Sequence, residues 1–451
     1  MKHSVRRNSI VTLTLLPALL LTLLLSGCMA NSTDPNPQQP LKIAVDSEEY
    51  YNFAYRTFIE GVYPDQQIEL IELVPDEKGT PPEEYIRKVR EEKPDLILTA
   101  IWRYGALVEE GLLADLSPQL TAGSSMEETD LYPGMIEWMK QDGNGILYGL
   151  APEFSSQILY YNADLFAKYG VAPPTDGMTL EEIYKLATRF TEAGGRKDGT
   201  VGLHRQYSNM PYSVLSAFAE SEGLRMYDSR QGITMNTPGW RDLLQKVIQL
   251  YKNETLSLKA PKVTKMEADG ITIYNYEDDG SGDLFGHGKA AMTIMRYTAD
   301  SNNWPFKVGA VAPPVSEQDR SRSNGIFVNK VMAIGAEVDN AAAAWQMIEL
   351  MTSERIAKIK AKNTRSGFSV HRTYPQYRKD PLVERLFKLM PVHLPPDRGE
   401  GVHDSNFYYD FEALINREIT AAVQQNKPLD DVVSAIQKEG QAMLEAASRT
   451  E

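Results

Sequence analysis

Short apolar runs that read as buried strands alternate along this chain with segments of helical spacing, and that alternation limits the fold more than any other feature. Residues 41–45, Leu-Lys-Ile-Ala-Val, open the series. A helical segment around residues 55–59 follows, then a second strand at 68–73. Residues 82–93 place Tyr85, Ile86 and Val89 at helical spacing, and Pro94 closes the segment. Asp95-Leu96-Ile97-Leu98 reads as a buried strand, followed by a helix over residues 103–110 that stops at Gly111. A second series starts near Ile146, with a strand at 158–161, a short helix at 163–168 and a break at Gly170, Pro173 and Pro174. Thr179 and Glu182 have the spacing of a capping box, and behind them Ile183, Leu186, Ala187 and Phe190 form an apolar helix stripe. Pro238 opens an amphipathic helix over 238–252. Residues 290–295 and 331–334 read as strands, 341–351 and the stretch from 407 to the end as helix. Strands alternating with helices of this length predict parallel βαβ units covered by helices on both faces, an α/β protein.

A length of 451 residues exceeds what one hydrophobic core supports, so two lobes are expected. The formal net charge of −14 would repel nucleic acid and anionic membrane surfaces, so no nucleic-acid partner is expected. Cys28 is the single cysteine, which excludes an intramolecular disulfide. It closes Leu25-Ser26-Gly27-Cys28, directly after a leucine-rich run at 10–25 that is preceded by Lys2, Arg6 and Arg7. A basic start, a short apolar run and a small-residue cleavage site read as a secretory signal over residues 1–27. Leu-Ser-Gly-Cys resembles the bacterial lipobox, which implies acylation of Cys28, cleavage before it and a stable anchor facing the extracytoplasmic side of the cell membrane. Residues 29–40, with three prolines, read as a flexible tether. Beyond the signal no apolar run is long enough to cross a bilayer.

Four blocks, in order, resemble the extracellular solute-binding proteins of ABC importers, in the group that includes the sugar binders. The first runs from Pro94-Asp95-Leu96-Ile97-Leu98 to Gly111-Leu112-Leu113-Ala114-Asp115-Leu116. The second is Tyr148-Gly149-Leu150-Ala151-Pro152 followed by Leu159-Tyr160-Tyr161-Asn162-Ala163-Asp164-Leu165-Phe166, with Leu180 where many members carry Trp. The third is Phe285 with Gly288-Lys289-Ala290-Ala291-Met292, and the fourth Val331-Met332-Ala333-Ile334 followed by Ala342-Ala343-Ala344-Trp345. The resemblance implies two doubly wound lobes joined by a hinge of crossing strands, the type II periplasmic-binding-protein arrangement, with ligand in the cleft at the strands' carboxyl ends. It puts the crossings near 147–153, 324–330 and 364–368. Lobe one is then 41–147 plus 331–365, and lobe two 148–330 plus 366–451.

The same resemblance nominates ligand-binding residues. Trp102 and Arg103 follow a strand end, where an indole can stack on a sugar ring and a guanidinium can donate a fork of bonds. The competing reading is core packing for Trp102 and a solvated helix start for Arg103. Asp46 and Glu48 follow the first strand, and Glu48 and Glu49 equally suit helix-start acids that complement the dipole. Glu153 and Ser155 fall on the first crossing. Arg296, Tyr297 and Trp304 follow the Gly-Lys-Ala-Ala-Met strand, where relatives often have Gly-Pro or Gly-Ser-Trp and this chain has Met295-Arg296-Tyr297. Trp304 equally suits the core. Phe368 lies at the third crossing.

Metal readings fail on chemistry. Tyr160-Tyr161 resembles the tyrosine pair of iron-binding relatives, but hard oxygen partners to complete a ferric set do not stand out. Glu277, Asp279, Ser281 and Asp283 alternate like a calcium loop, yet the position for its closing glutamate is Gly288. The six histidines lack zinc-helix spacing. No cofactor or metal is expected. The sequence thus predicts a monomeric, non-catalytic binder of a mono- or oligosaccharide that hands its closed form to ABC permease subunits. Two other classes stay open: a surface glycosidase, which needs two carboxylates flanking one bond, and a binder that signals to a sensor partner.

Overall fold

The computed structural model describes residues 39–74, 82–205, 210–228, 232–258, 263–268, 271–276, 283–297, 304–363, 367–392 and 405–447. The segment read as a signal, Cys28, residues 29–38 of the segment read as a tether, and Glu277, Asp279 and Ser281 lie outside them. The strands that build the two main sheets are, in chain order, β1 (Leu41–Val45), β2 (Ile68–Glu72), β3 (Leu96–Ala100), β4 (Gly149–Leu150), β5 (Glu153–Asn162), β6 (Val201–Leu203), β7 (Ala290–Arg296), β8 (Val308–Val311), β9 (Ile326–Phe327), β10 (Lys330–Ile334) and β11 (Phe368–Ser369).

The first sheet has the order β2-β1-β3-β10-β4, with β1 parallel to both β2 and β3, and β10 antiparallel to β3. Strand β3 is buried along its whole length, as expected of a parallel strand covered on both faces. The second sheet has the order β8-β5-β7-β6, with β6 and β7 parallel and β5 antiparallel to its neighbours. Two apolar clusters form the core, the first reaching from the first sheet onto one face of the second through Ile158, Tyr160 and Ala290. Ile43, Ile97, Tyr104, Met139 and Ile348 belong to one apolar cluster, and Phe190, Leu203, Trp240, Leu244, Met292 and Ile415 to the other. The architecture is the expected α/β one of two doubly wound lobes.

Local rules place the helices. Thr179 Oγ1 accepts from the Glu182 N–H at 3.3 Å while Glu182 Oε2 accepts from the Thr179 N–H at 2.9 Å, so the capping box forms and starts Leu180–Glu192. Helix Pro238–Lys252 begins at its proline and buries Trp240, Leu243, Leu244 and Val247. The strand expected at 158–161 starts five residues earlier, at Glu153. That early start makes β5 a connector. Its first residues pair with β11 and then β9, and its later ones with β7 and β8.

Chain therefore passes from one sheet to the other at residues 150–153 and again at 327–330. An aromatic cluster fills this junction. Phe154 lies 5.0 Å from Tyr132, 5.2 Å from Phe368 and 5.4 Å from Phe387, ring centre to ring centre. The segment after Gly367 divides: Val370, Tyr374, Leu382 and Leu386 bury in the first core, while helices Ser405–Gln424 and Leu429–Ala447 contribute to the second.

Candidate functional site

Parallel strands β1 and β3 end side by side, and each leads within three residues to a charged side chain. Asp46 comes first after β1, and Ser47 then caps a helical run over 48–62 by accepting from the Tyr50 N–H at 3.4 Å. That run includes a π-helical turn, Asn52–Arg56, a distortion that recurs at functional sites. After β3, helix Ile101–Glu109 starts at Ala100 without a side-chain cap, and its first N–H donates to the Asn329 carbonyl at 3.1 Å. Lys330 pairs with Ala100 and so begins β10 at the same edge.

These groups meet at Asp46. Arg103 Nη1 donates to Asp46 Oδ1 at 3.3 Å, and Lys330 Nζ to Asp46 Oδ2 at 2.6 Å. The Tyr85 hydroxyl reaches Asp46 Oδ1 at 3.3 Å and Thr99 Oγ1 at 2.8 Å. The Arg103 guanidinium sits 4.2 Å from the Tyr85 ring centre and 4.3 Å from that of Trp102, cation–π distances on two aromatics. Arg103 is 8% exposed, whereas Trp102 is 60% exposed. The indole thus rests on the guanidinium and leaves most of its surface open. Lys330 also lies 5.2 Å from the Tyr50 ring centre. Burial, reinforced by the Glu153 carboxylate, holds the Tyr50 phenol above its usual value, and burial does the same more strongly to Tyr55 and Tyr85.

Glu153, at the start of β5, forms an ion pair with Lys360. Ser155 is buried and pairs with Phe327 in the ladder. From Phe327 to Lys330 is three residues, a span of about 10 Å in extended chain, so the edges of the two sheets lie close together.

The second sheet presents its own carboxyl edge there. Strand β6 ends at Leu203 and its parallel neighbour β7 at Arg296, which pairs with Gln157. A cavity of about 90 Å³ opens at this edge, lined by residues including Gln157, Arg205, Glu220, Asn324 and Gly325. The Gln157 N–H donates to the Gly325 carbonyl at 2.7 Å, and Asn324 Nδ2 is buried without a hydrogen-bond partner. Arg296 is exposed, its guanidinium 5.3 Å from the Phe327 ring centre. A larger hollow of about 460 Å³ lies elsewhere, against helix Pro133–Asp142, and holds none of these groups.

The structure thus brings Asp46, Trp102 and Arg103 together at one edge, with Glu153 at the adjoining crossing and Arg296 at the end of β7. It places the others differently. Glu48 is exposed and its N–H donates to Glu72 Oε1 at 3.1 Å, while its side chain falls in the first turn of a helix. Phe368 is 0% exposed and packs on Phe154 and Tyr297. Tyr297 is 5% exposed, with its hydroxyl donating to Asp380 Oδ2 at 2.8 Å. Trp304 packs edge-on to Tyr160 and Phe285, in the aromatic packing of the second sheet. The rings of Phe368 and Tyr297 are taken up by protein, so neither has a face to offer a solute here. Sequence reading did not nominate Tyr50, Gln157, Arg205, Asn324 or Lys330, which the structure places beside these groups. A signal existed for Lys330, a lone charge heading the apolar run Val331-Met332-Ala333-Ile334.

Among the described residues no group of histidines, cysteines and acids could hold a metal ion, and no helix is long and apolar enough to cross a membrane.

A model of the bacterial extracellular solute-binding protein family matches residues 89–358, more than half of the chain. Among solved structures, the sugar-binding protein MalE from the phytopathogen Xanthomonas citri is similar with a TM-score of 0.59 at 13% identity, over 90% of this chain and 98% of that one. A cyclo/maltodextrin-binding protein complexed with maltotetraose gives 0.57 at 16% identity, over 91% and 98%. Maltose-bound MalE3 of T. maritima gives 0.52 at 20% identity, over 90% and 99%. At these identities the likeness establishes the fold.

Proposed function

Because the chain belongs to the bacterial extracellular solute-binding proteins, we propose that it captures a carbohydrate between its two lobes and presents the closed form to the permease of an ABC importer. The observation that carries this reading is the open indole of Trp102, fixed on Arg103 beside Asp46 at the carboxyl edge of β1 and β3. An aromatic face with charged hydrogen-bonding groups at its side suits a pyranose, which has an apolar CH face and a rim of hydroxyls.

Asp46, Tyr50, Trp102, Arg103 and Lys330 form the lobe-one wall, with Glu153 at the crossing. Gln157, Arg205, Arg296 and Asn324 form the facing wall at the second sheet's edge. The lobes follow those drawn from the sequence, 41–147 with 331–365 and 148–330 with 366–451, except that Gly149, Leu150 and Lys330 lie in the first sheet and helix Tyr374–Arg378 packs on helix Glu354–Asn363, with Tyr377 bonded to Glu354 and Arg378 to the Ala361 carbonyl. A solute that touches both walls binds the closed state better than the open one, and that difference drives closure about the crossings at 150–153 and 327–330. Micromolar affinity corresponds to about 8 kcal/mol. The protein works as a monomer tethered through acylated Cys28, and we assign it no catalytic step.

Thermal melting against a panel of mono- and oligosaccharides, with hydrolysis followed in parallel, tests the reading. A bound sugar at a hundredfold excess over Kd adds about 2.7 kcal/mol and raises the melting temperature. A flat panel would turn the search to peptides and polyamines. Released hydrolysis products would favour the glycosidase.

A further inference from the structure

We propose that the solute carries a carboxylate, an acidic sugar of the uronic-acid class, and that Arg103 and Lys330 receive it. This rests on the carbohydrate reading of the cleft and adds the charge of its ligand.

The argument is a charge count in a partly dry place. One carboxylate, Asp46, answers two cations, Arg103 on one oxygen and Lys330 on the other. The side chains of Arg103, Asp46 and Lys330 are only 9%, 14% and 21% exposed. The nearby acid at the crossing, Glu153, is already matched by Lys360. Among the described residues the cluster is therefore left with one positive charge in excess, although the whole chain has a net charge of −14. Charge withdrawn from water without a counter-charge is costly, so a surplus of this kind favours an anion when one is offered. Hydroxyls of a neutral sugar do not supply that charge.

Geometry fits the same ligand. The Arg103 guanidinium is held by two rings, 4.2 Å from the centre of Tyr85 and 4.3 Å from that of Trp102. Its contact with Asp46 is long, 3.3 Å, and engages Nη1, one of several donors in a planar fork suited to carboxylates. A uronate whose ring lies on the open Trp102 surface carries its carboxylate at the ring's rim, where the two cations converge. Charge-assisted hydrogen bonds are roughly twice as strong as neutral ones, so the carboxylate decides between otherwise similar sugars.

Calorimetric titration of the protein with matched pairs tests this: neutral gluco-, galacto-, manno- and xylo-oligosaccharides, each beside a uronic-acid counterpart of equal length. One acidic member should bind at least about tenfold tighter than its neutral partner, and this advantage should shrink as salt rises from about 0.05 to 0.5 M. Lys330→Gln should reduce the advantage to under about threefold. Arg103→Lys, which keeps the charge but loses the fork, should weaken the acidic sugar while leaving the protein folded in a melting scan. If a neutral sugar binds as tightly as its acidic partner, or Lys330→Gln leaves the ratio unchanged, the ion cluster is structural and this proposal fails while the carbohydrate reading stands. If no sugar of either kind binds, the carbohydrate reading fails and this proposal with it.

Discussion

Two groups of aromatic side chains, one at the crossing strand and one at the carboxyl edge of the first sheet, have surroundings that give them opposite roles. Phe154, Phe368 and Tyr297 interlock with Tyr132, Tyr374 and Phe387, closing the junction between lobes. Trp102 stands at the sheet edge against the Arg103 guanidinium, and Tyr50 is half-buried there between the Lys330 ammonium and the Tyr55 ring. The first group shields backbone and carbon from water. The second leaves aromatic surface where a solute can reach it. Residue type does not separate them; the chain that arrives from far away in sequence does.

The largest effect should come from emptying the junction. Phe154→Ala removes a fully buried ring with three aromatic neighbours and should cost about 3–5 kcal/mol in urea unfolding. A loss below about 1 kcal/mol would mean that the cluster is not packed as described. Trp102→Ala should do the reverse: stability changes by less than about 1 kcal/mol, while sugar affinity falls at least about tenfold. Comparable losses in both properties would merge the two groups. Tyr297→Phe deletes the bond to Asp380 and should cost about 1–2 kcal/mol without moving sugar affinity by more than about twofold.

The smallest effect concerns pH. Burial pushes the Tyr374 phenol up to about 12, against about 10 in an unfolded chain. Between pH 7 and about 9 both states keep the proton, and this tyrosine contributes no slope. Above about pH 10 the unfolded chain loses the proton first and the native state holds more, so stability falls as pH rises toward 12. Urea midpoints across that range, with Tyr374→Phe as reference, measure the contribution. A slope that survives the substitution intact would assign it elsewhere.

Much of the scaffold was readable from local pattern. The capping box at Thr179, the proline start at Pro238 and the alternation of β1, β3 and their helices all follow from residues close in sequence. The start of β5 at Glu153 was not, because Glu153 to Ser156 pair with residues 326–327 and 368–369 and no local periodicity carries that information. For the same reason Phe368 and Tyr297 read as cleft residues: both follow strand ends, but their neighbours lie elsewhere in the chain. Arg103 could be nominated because it follows a strand-to-helix turn at a parallel edge, a position set by residues close in sequence. Arg205 and Asn324 could not, since the cavity they line forms only when β5, β6 and β7 assemble.

Of the five tryptophans, Trp240 and Trp345 are buried and Trp138 and Trp304 half-buried, leaving Trp102 as the one most open to water. An indole that leaves water emits at shorter wavelength, and one already buried changes little. The protein therefore contains its own optical gauge of occupancy: a blue shift on adding sugar, absent in Trp102→Phe, would report capture without any label.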